Sequence, residues 1–133
     1  MKLYLAGPMT GIPQFNFPAF DRWAGLLREK GYEVLSPHEA DPGEVQEIAW
    51  ASVAGDPAEL PESDGLLPAS IRNLEGVAQC DGIALLPGWE KSLGSRFEVA
   101  AGERFGLEIG SAGIWGRTNP SRAGNWSVGL GKR

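Results

Sequence analysis

Gly82-Ile83-Ala84-Leu85-Leu86 forms an unbroken apolar run closed by Pro87-Gly88. Such a run is the pattern of a central strand covered on both faces, as strands of parallel sheets are. Downstream, Phe97, Ala100, Ala101 and Phe105 mark a helix, and the residues around Leu107 to Ile109 read as an edge strand. Upstream, Ile71, Leu74, Val77 and Ala78 fall on one helical face. The N-terminal third alternates in the same way. Lys2-Leu3-Tyr4-Leu5-Ala6 reads as a strand that stops at Gly7-Pro8. Phe20, Trp23, Ala24 and Leu27 recur at i, i+3, i+4 and i+7, with Asn16 and Pro18 as start signals and Gly31 as a stop. Tyr32-Glu33-Val34-Leu35-Ser36 is a second strand, closed by Pro37. Strand and helix in alternation imply a three-layer α/β/α domain around a four- to five-stranded, mainly parallel sheet.

A chain of 133 residues is sized for one domain with one core. We expect that domain to span 1–115, with 116–133 as a basic, glycine-rich tail. Charge is spread unevenly. Residues 39–65 hold eight acids (Glu39, Asp41, Glu44, Glu47, Asp56, Glu59, Glu62 and Asp64) and no Lys or Arg. Residues 116–133 hold four bases (Arg117, Arg122, Lys132 and Arg133) and no acid. Two readings stay open: a solvated acidic excursion with a loose tail, or a tail folded over a neighbouring subunit or an anionic ligand.

Composition excludes several classes. A single Cys80 rules out an internal disulfide, and with a single His38 it rules out a Cys/His zinc cluster, so no metal and no cofactor are expected. A net charge of −5 argues against a nucleic-acid polymer as partner. No apolar run approaches a membrane span, and the first seven residues are too short for a signal peptide, so a cytoplasmic protein is expected. Carboxylates and hydroxyls are left to carry any chemistry.

Open α/β sheets bind ligands at the carboxyl ends of their strands. Three loops lie there: 7–17, the segment from Pro37, and 87–94. In Ala6-Gly7-Pro8-Met9-Thr10-Gly11-Ile12-Pro13, two glycines flank a hydroxyl, which suits close approach to a sugar or phosphate, although a plain turn has the same pattern. In Pro87-Gly88-Trp89-Glu90-Lys91-Ser92-Leu93-Gly94-Ser95-Arg96-Phe97-Glu98, a helix start offers its amides and the Ser92 and Ser95 hydroxyls to an anion. Glu98 has two competing readings. Ser95-Arg96-Phe97-Glu98 fits a capping box in which Glu98 bonds back to the Ser95 amide; alternatively its carboxylate faces the cleft. Trp89 is either a stacking wall for a base or a packing residue. A Cys80–His38 nucleophile–base pair competes with a packed, inert thiol, and His38 at a strand end is also a candidate substrate contact.

Tyr4-Leu5-Ala6-Gly7-Pro8-Met9-Thr10-Gly11, Asn16-Phe17-Pro18-Ala19-Phe20-Asp21, and Cys80-Asp81 through Glu98-Val99-Ala100 resemble the nucleoside 2-deoxyribosyltransferase-like superfamily. The nearest likeness is to its small, uncharacterised phage and prophage members with a YLAGPMTG-type N-terminus. The resemblance covers roughly 1–38 and 68–109. It implies a flavodoxin- or Rossmann-like, deoxyribosyltransferase-like sheet, a nucleoside or nucleotide as small-molecule partner, and a homodimer or higher homo-oligomer in which 111–133 contribute to an interface or site. For a phage-encoded member the compartment is the host cytoplasm.

The activity implied is cleavage or transfer at the N-glycosidic bond of 2'-deoxynucleosides or their 5'-monophosphates. Glu98 is the nucleophile by this comparison, since a carboxylate stabilises an oxocarbenium-like transition state and can bond to it. Helix-start amides are expected to hold it ionised. Ser92-Leu93-Gly94, followed by Glu98, resembles the branch that hydrolyses 5'-monophosphates, where the matching Ser contacts phosphate. Tyr4, Gly7, Thr10 and Gly11 match the loop along sugar and phosphate, and Asp81 reads as structural. One position departs. The hydrolase branch has an Asp that protonates the leaving base where this chain has Asn73. Asn is no general acid but can bond a base edge. Glu90 is then the first candidate for the proton and Glu75 the second. The alternative is a non-catalytic nucleotide-binding protein, a sponge or sensor.

Overall fold

The computed structural model describes residues 1–120. Four strands form one sheet: β1 (Lys2–Ala6), β2 (Glu33–Leu35), β3 (Gly82–Leu85) and β4 (Glu108–Ser111). Every pairing is parallel and the order is β2-β1-β3-β4. The central pair sets Leu5 opposite Ala84 and Ala6 opposite Leu85. The helices are α1 (Phe17–Glu29), α2 (Pro37–Ala40), α3 (Gly43–Ala51), α4 (Leu66–Ala78), α5 (Leu93–Phe105) and α6 (Ala112–Gly116). None is long and apolar enough to cross a membrane.

The period-2 alternation of the strands divides the core in two. Leu3, Leu5, Ala84 and Leu86 point to α1 and α6, where they meet Phe20, Ala24, Leu27 and Trp115. Tyr4, Ala6, Ile83 and Leu85 point to α4 and α5, where they meet Val77 and Val99. The Trp115 indole donates to the Ile83 carbonyl at 2.9 Å, so this buried ring is also a hydrogen-bonded one.

Both helices on the second face lie close to the sheet, α4 through Val77 of its expected stripe and α5 through a different stripe from the one its apolar spacing predicts. A Cβ at Gly102 would stand 2.4 Å from Ile83 Cδ1, and one at Gly76 would stand 2.9 Å from Leu35 Cδ2. The buried stripe of α5 is therefore Ser95, Glu98, Val99 and Gly102, whereas Phe97 and Phe105 face outward. Ile71 and Ala78 of α4 are likewise exposed. Small residues let the backbones approach, and on α5 the large apolar side chains Phe97 and Phe105 are left on the outside.

The acidic excursion is folded rather than merely solvated. Val45 and Ala49 of α3 are buried, Ala49 packing with Phe15 and Phe17. Arg72 donates to Asp41 at 2.8 Å and to Asp64 at 2.9 Å, and Arg28 donates to Glu39 at 2.6 Å. Two arginines from α4 and α1 thus anchor three of its acids. The tail of the sequence analysis falls mainly in 121–133, outside the described residues.

Candidate functional site

The chain leaves β1 towards one side and β3 towards the other, so the loops after these neighbouring strands diverge. That crevice is the topological switch point of the sheet. A cavity of about 440 Å³ occupies it, lined by Gly7 to Thr10, Pro37, Leu66, Asn73, Lys91 to Ser95, and Glu98. Hollows of about 400 and 510 Å³ lie at the amino ends of the strands and between α1 and α6. Buried carboxylates stand in the walls of two of these, Glu108 at the amino ends of the strands and Glu98 at the switch point, and only the latter lies at the carboxyl ends where such sheets bind ligands.

Glu98 is 8% exposed. The Tyr4 hydroxyl donates to Glu98 Oε2 at 2.9 Å, and the Asn73 side chain makes a second hydrogen bond to it. Burial pushes the Glu98 carboxyl up to about 7, against the opposing pull of the Tyr4 and Asn73 bonds. Burial, then the Glu98 charge, likewise holds the Tyr4 phenol well above its ordinary range.

These contacts remove the capping box. Helix α5 starts at Leu93, and its cap is Ser92, whose Oγ accepts the Ser95 N–H at 3.2 Å. Glu98 therefore lies in the second turn, directed at the sheet, and side chains rather than helix-start amides bond its carboxylate. The expectation that amides keep it ionised fails for the same reason. Ser92 still has its own proton to donate. Ser95 Oγ is almost fully buried, with the residue 2% exposed, and has no protein partner at the cavity wall. An unbonded buried hydroxyl at the start of a 13-residue helix marks a place for an acceptor-rich group, and Lys91 adds a cation beside it.

The other wall is held by unusual backbone. Gln14, Phe15 and Asn16 have φ of 56°, 50° and 61°, three consecutive left-handed residues without a glycine. Partners on both sides fix them. Gln14 N–H donates to the Ser52 carbonyl and its side chain to the Trp50 carbonyl, both at 2.9 Å, while Phe15 is buried. Asn16 stands at the N-cap of α1, as expected, but its side chain makes no cap bond: it donates to the Pro8 carbonyl at 2.9 Å and so ties the cavity loop to α1. The Gly11 N–H donates to the Gly55 carbonyl at 2.9 Å. Gly7 packs against Leu86, where a Cβ would come within 2.7 Å of Leu86 Cβ, so close packing explains this glycine independently of any ligand.

Of the residues singled out from sequence, Gly7, Thr10, Asn73, Ser92, Gly94, Ser95 and Glu98 meet at the cavity, with Tyr4 buried behind Glu98. Gly11 lies in the turn behind the lining. Trp89 is half-buried against the core, and Glu90 is exposed outside the lining, as is Glu75 on α4. Lys91 and Pro37 line the cavity too; both lie in loops expected at the ligand end of the sheet, although the sequence assigns neither a role.

Cys80 and His38 do not meet. Cys80 lies just before β3 at the amino end of the sheet, where burial pushes its thiol up to about 11. His38 follows β2 at the opposite end. Its Nδ1 faces Ser36 Oγ, and its Nε2 lies 3.5 Å from Asp21 Oδ1. Burial, outweighing the nearby acids, lowers the His38 pKa. His38, Asp21 and Glu39 offer ligand atoms within 4.8 Å of one another, yet Glu39 is already paired with Arg28.

Residues 1–111 match a family described as a domain of unknown function, DUF4406. Among solved structures, a 2-deoxyribosyltransferase from the psychrotolerant bacterium Bacillus psychrosaccharolyticus is similar. Its TM-score is 0.56 at 18% sequence identity, over 82% of this chain and 69% of that chain. The likeness is one of fold: α/β, deoxyribosyltransferase-like, with a parallel sheet between helical layers. No curated protein matches the chain in sequence.

Proposed function

The chain belongs to the DUF4406 family, and we propose that it cleaves or transfers at the N-glycosidic bond of 2'-deoxynucleoside 5'-monophosphates, with Glu98 as nucleophile. The observation that carries this reading is the buried Glu98 carboxylate, oriented by Tyr4 and Asn73 in a cavity at the switch point of the sheet. A carboxylate held in a site of low dielectric stabilises positive charge developing at an anomeric carbon far better than an exposed one. The 5'-phosphate would lie over the start of α5, taking hydrogen bonds from Ser92 and Ser95 and the charge of Lys91. Gly7 to Thr10 would close over the sugar. We place the chain with the small phage and prophage members of the deoxyribosyltransferase-like superfamily, with residues 1–115 as the unit that carries the site and the cytoplasm, where free nucleotides occur, as its compartment.

The test is a panel of deoxynucleosides and their 5'-monophosphates, ordinary and base-alkylated, with and without an acceptor base. Base release or exchange is followed by chromatography for wild type and Glu98→Gln. At least one nucleotide should yield free or exchanged base, and Glu98→Gln should abolish it. No product from the whole panel, or full activity in Glu98→Gln, overturns the reading.

A second reading is a binder that leaves its nucleotide intact. It is favoured by Asn73, which puts an amide where a second carboxylate would assist cleavage; Glu98 is the only carboxylate lining the cavity among the described residues. Stoichiometric binding with ligand recovered unchanged would select it.

We also propose that two copies associate through α4 and α5. Leu66, Leu67, Ile71, Leu93, Phe97 and Phe105 are each 49–86% exposed there. Scattered exposed apolar residues are ordinary, but a set gathered on two packed helices marks an interaction face. Leu66 and Leu93 also line the cavity, so the second copy would reach its rim.

A further inference from the structure

The wall of the cavity says which glycosidic bond it suits. Breaking the bond to an ordinary purine or pyrimidine pushes an electron pair onto a neutral ring, which then leaves as an anion unless an acid protonates it. Glycosidases meet this demand with a second carboxyl group beside the first. Here Glu98 is the single carboxylate lining the cavity among the described residues. Its two partners, Tyr4 and Asn73, are both uncharged. Tyr4 already donates its proton to Glu98, and burial with the nearby charge makes the phenol a still weaker acid. Lys91 lies beside Ser92, where a phosphate would sit. Nor do residues 121–133 contain an acidic side chain or an imidazole.

We infer that the preferred substrate is a nucleotide whose base already carries a positive charge in the ring bonded to the sugar, such as an N7-alkylated purine. The inference rests on the proposed role of Glu98 as nucleophile. Such a base needs no acid. A Glu98 carboxylate oxygen bonds to the anomeric carbon as the carbon–nitrogen bond breaks. The electron pair returns to the ring and cancels its charge, and the base departs neutral with no proton moved. Water then displaces the carboxylate from the same carbon, releasing 2-deoxyribose 5-phosphate and one proton to solvent. Before reaction, the cationic ring is also the counter-charge that buried Glu98 lacks among its partners. Asn73 fits this role: its amide bonds the carboxylate without placing a second negative charge beside it.

The probe pair is 2'-deoxyguanosine 5'-monophosphate and its N7-methyl derivative, which share sugar, phosphate and purine ring. Base release is measured for wild-type protein against a protein-free blank for each compound, because the methylated nucleotide also decays unaided. The acceleration over the blank should be larger for the methylated nucleotide by about 10²–10⁴-fold, the contribution of a general acid. Asn73→Asp should raise the acceleration of the unmethylated nucleotide and not that of the methylated one. Equal acceleration of both by wild type, or acceleration of the unmethylated nucleotide alone, overturns the inference and leaves the nucleophile role of Glu98 standing. Acceleration of neither, with the rest of the panel also inert, overturns that role and the inference with it.

Discussion

Tyr4 of the first strand and Glu98 of the fifth helix, 94 positions apart, share a 2.9 Å hydrogen bond in which the phenol donates to the carboxylate. The bond lies inside the protein and opposes the effect of burial on Glu98. It joins the two halves of the candidate site, and it makes Tyr4 a positioning residue with a readout of its own.

Tyr4→Phe keeps the ring in the core and removes the donor. Glu98 then loses one of the two bonds that favour its charged form, so its pKa rises above about 7. A bond to a charged group contributes about 1.5–3 kcal/mol, so the acid limb of kcat/KM should move about one to two pH units to the alkaline side. A pH–rate profile with whichever nucleotide the panel identifies checks this. An unmoved limb would show that Tyr4 does not tune Glu98.

Glu98 also makes the fold pH-dependent. Its carboxyl rises from an ordinary 4.5 to about 7 on folding. The neutral form is thus favoured in the folded state, and that stability, full below pH 4.5, is lost as pH rises through about 7. A rise of that size corresponds to about 3 kcal/mol. Glu98→Gln accepts the Tyr4 bond and cannot ionise, so it should gain on wild type between pH 5 and pH 8 in denaturant titrations. Parallel pH dependences for the two proteins would contradict this.

Ser95→Ala removes a buried hydroxyl that has no protein partner. Its loss should cost the fold little and a bound phosphate more, weakening 5'-monophosphates by about 10–100-fold, as for a hydrogen bond to a charged group. Calorimetry in the Glu98→Gln background avoids turnover. The unphosphorylated deoxynucleoside should bind as before, and equal loss for both ligands would place the phosphate elsewhere.

Gly55→Ala should unsettle the loop over the cavity from outside it. Gly55 has φ +65°, and a Cβ there would stand 2.2 Å from the Ile12 carbonyl oxygen. Strain of this kind costs about 1–3 kcal/mol, so both melting temperature and nucleotide affinity should fall. Gly25→Ala is the control: nothing lies within 4 Å of its Cβ on an exposed helical face, and it should stabilise by about 0.5–1 kcal/mol. Indistinguishable variants would remove the case for a rigid loop.

Phe97→Glu tests the association through α4 and α5. Phe97 is 53% exposed, so the folded chain tolerates a charge there. Light scattering should give wild type twice the mass of the variant, with the same circular dichroism. A monomeric wild type at tens of micromolar would end the proposal.

Most of the fold is legible in the sequence because strands and helices announce themselves by period. The unbroken run at Gly82–Leu86, the alternating residues of β1 and the stripe of α1 all formed where expected. The stripe of α5, and the Ile71 and Ala78 edge of that of α4, differ from expectation for a physical reason. Gly76 and Gly102 let these helices approach the sheet closely, α5 through its more polar side, and periodicity weighs side-chain size rather than backbone approach. At the site, Glu98, Ser92 and Asn73 could be named from motif, but the direction of the Glu98 carboxylate could not. Ser92 and Ser95 are both plausible caps in sequence, and choosing between them requires knowing where the helix begins. The support that Ser52 and Gly55 give the loop comes from long-range packing, which no local pattern contains.

The strand order has a consequence for biosynthesis. β1 is central, between β2 and β3, and its pairing with β3 joins Leu3–Ala6 to Gly82–Leu85. A ribosome must therefore release the chain past Leu85 before the second edge of β1 is covered, and past Glu98 before Tyr4 finds its carboxylate. Until then a short apolar strand waits with one side open, the state in which nascent chains are most exposed to wrong pairing. The acidic segment between them, anchored in the folded protein by Arg28 and Arg72, gives the waiting chain charge of its own.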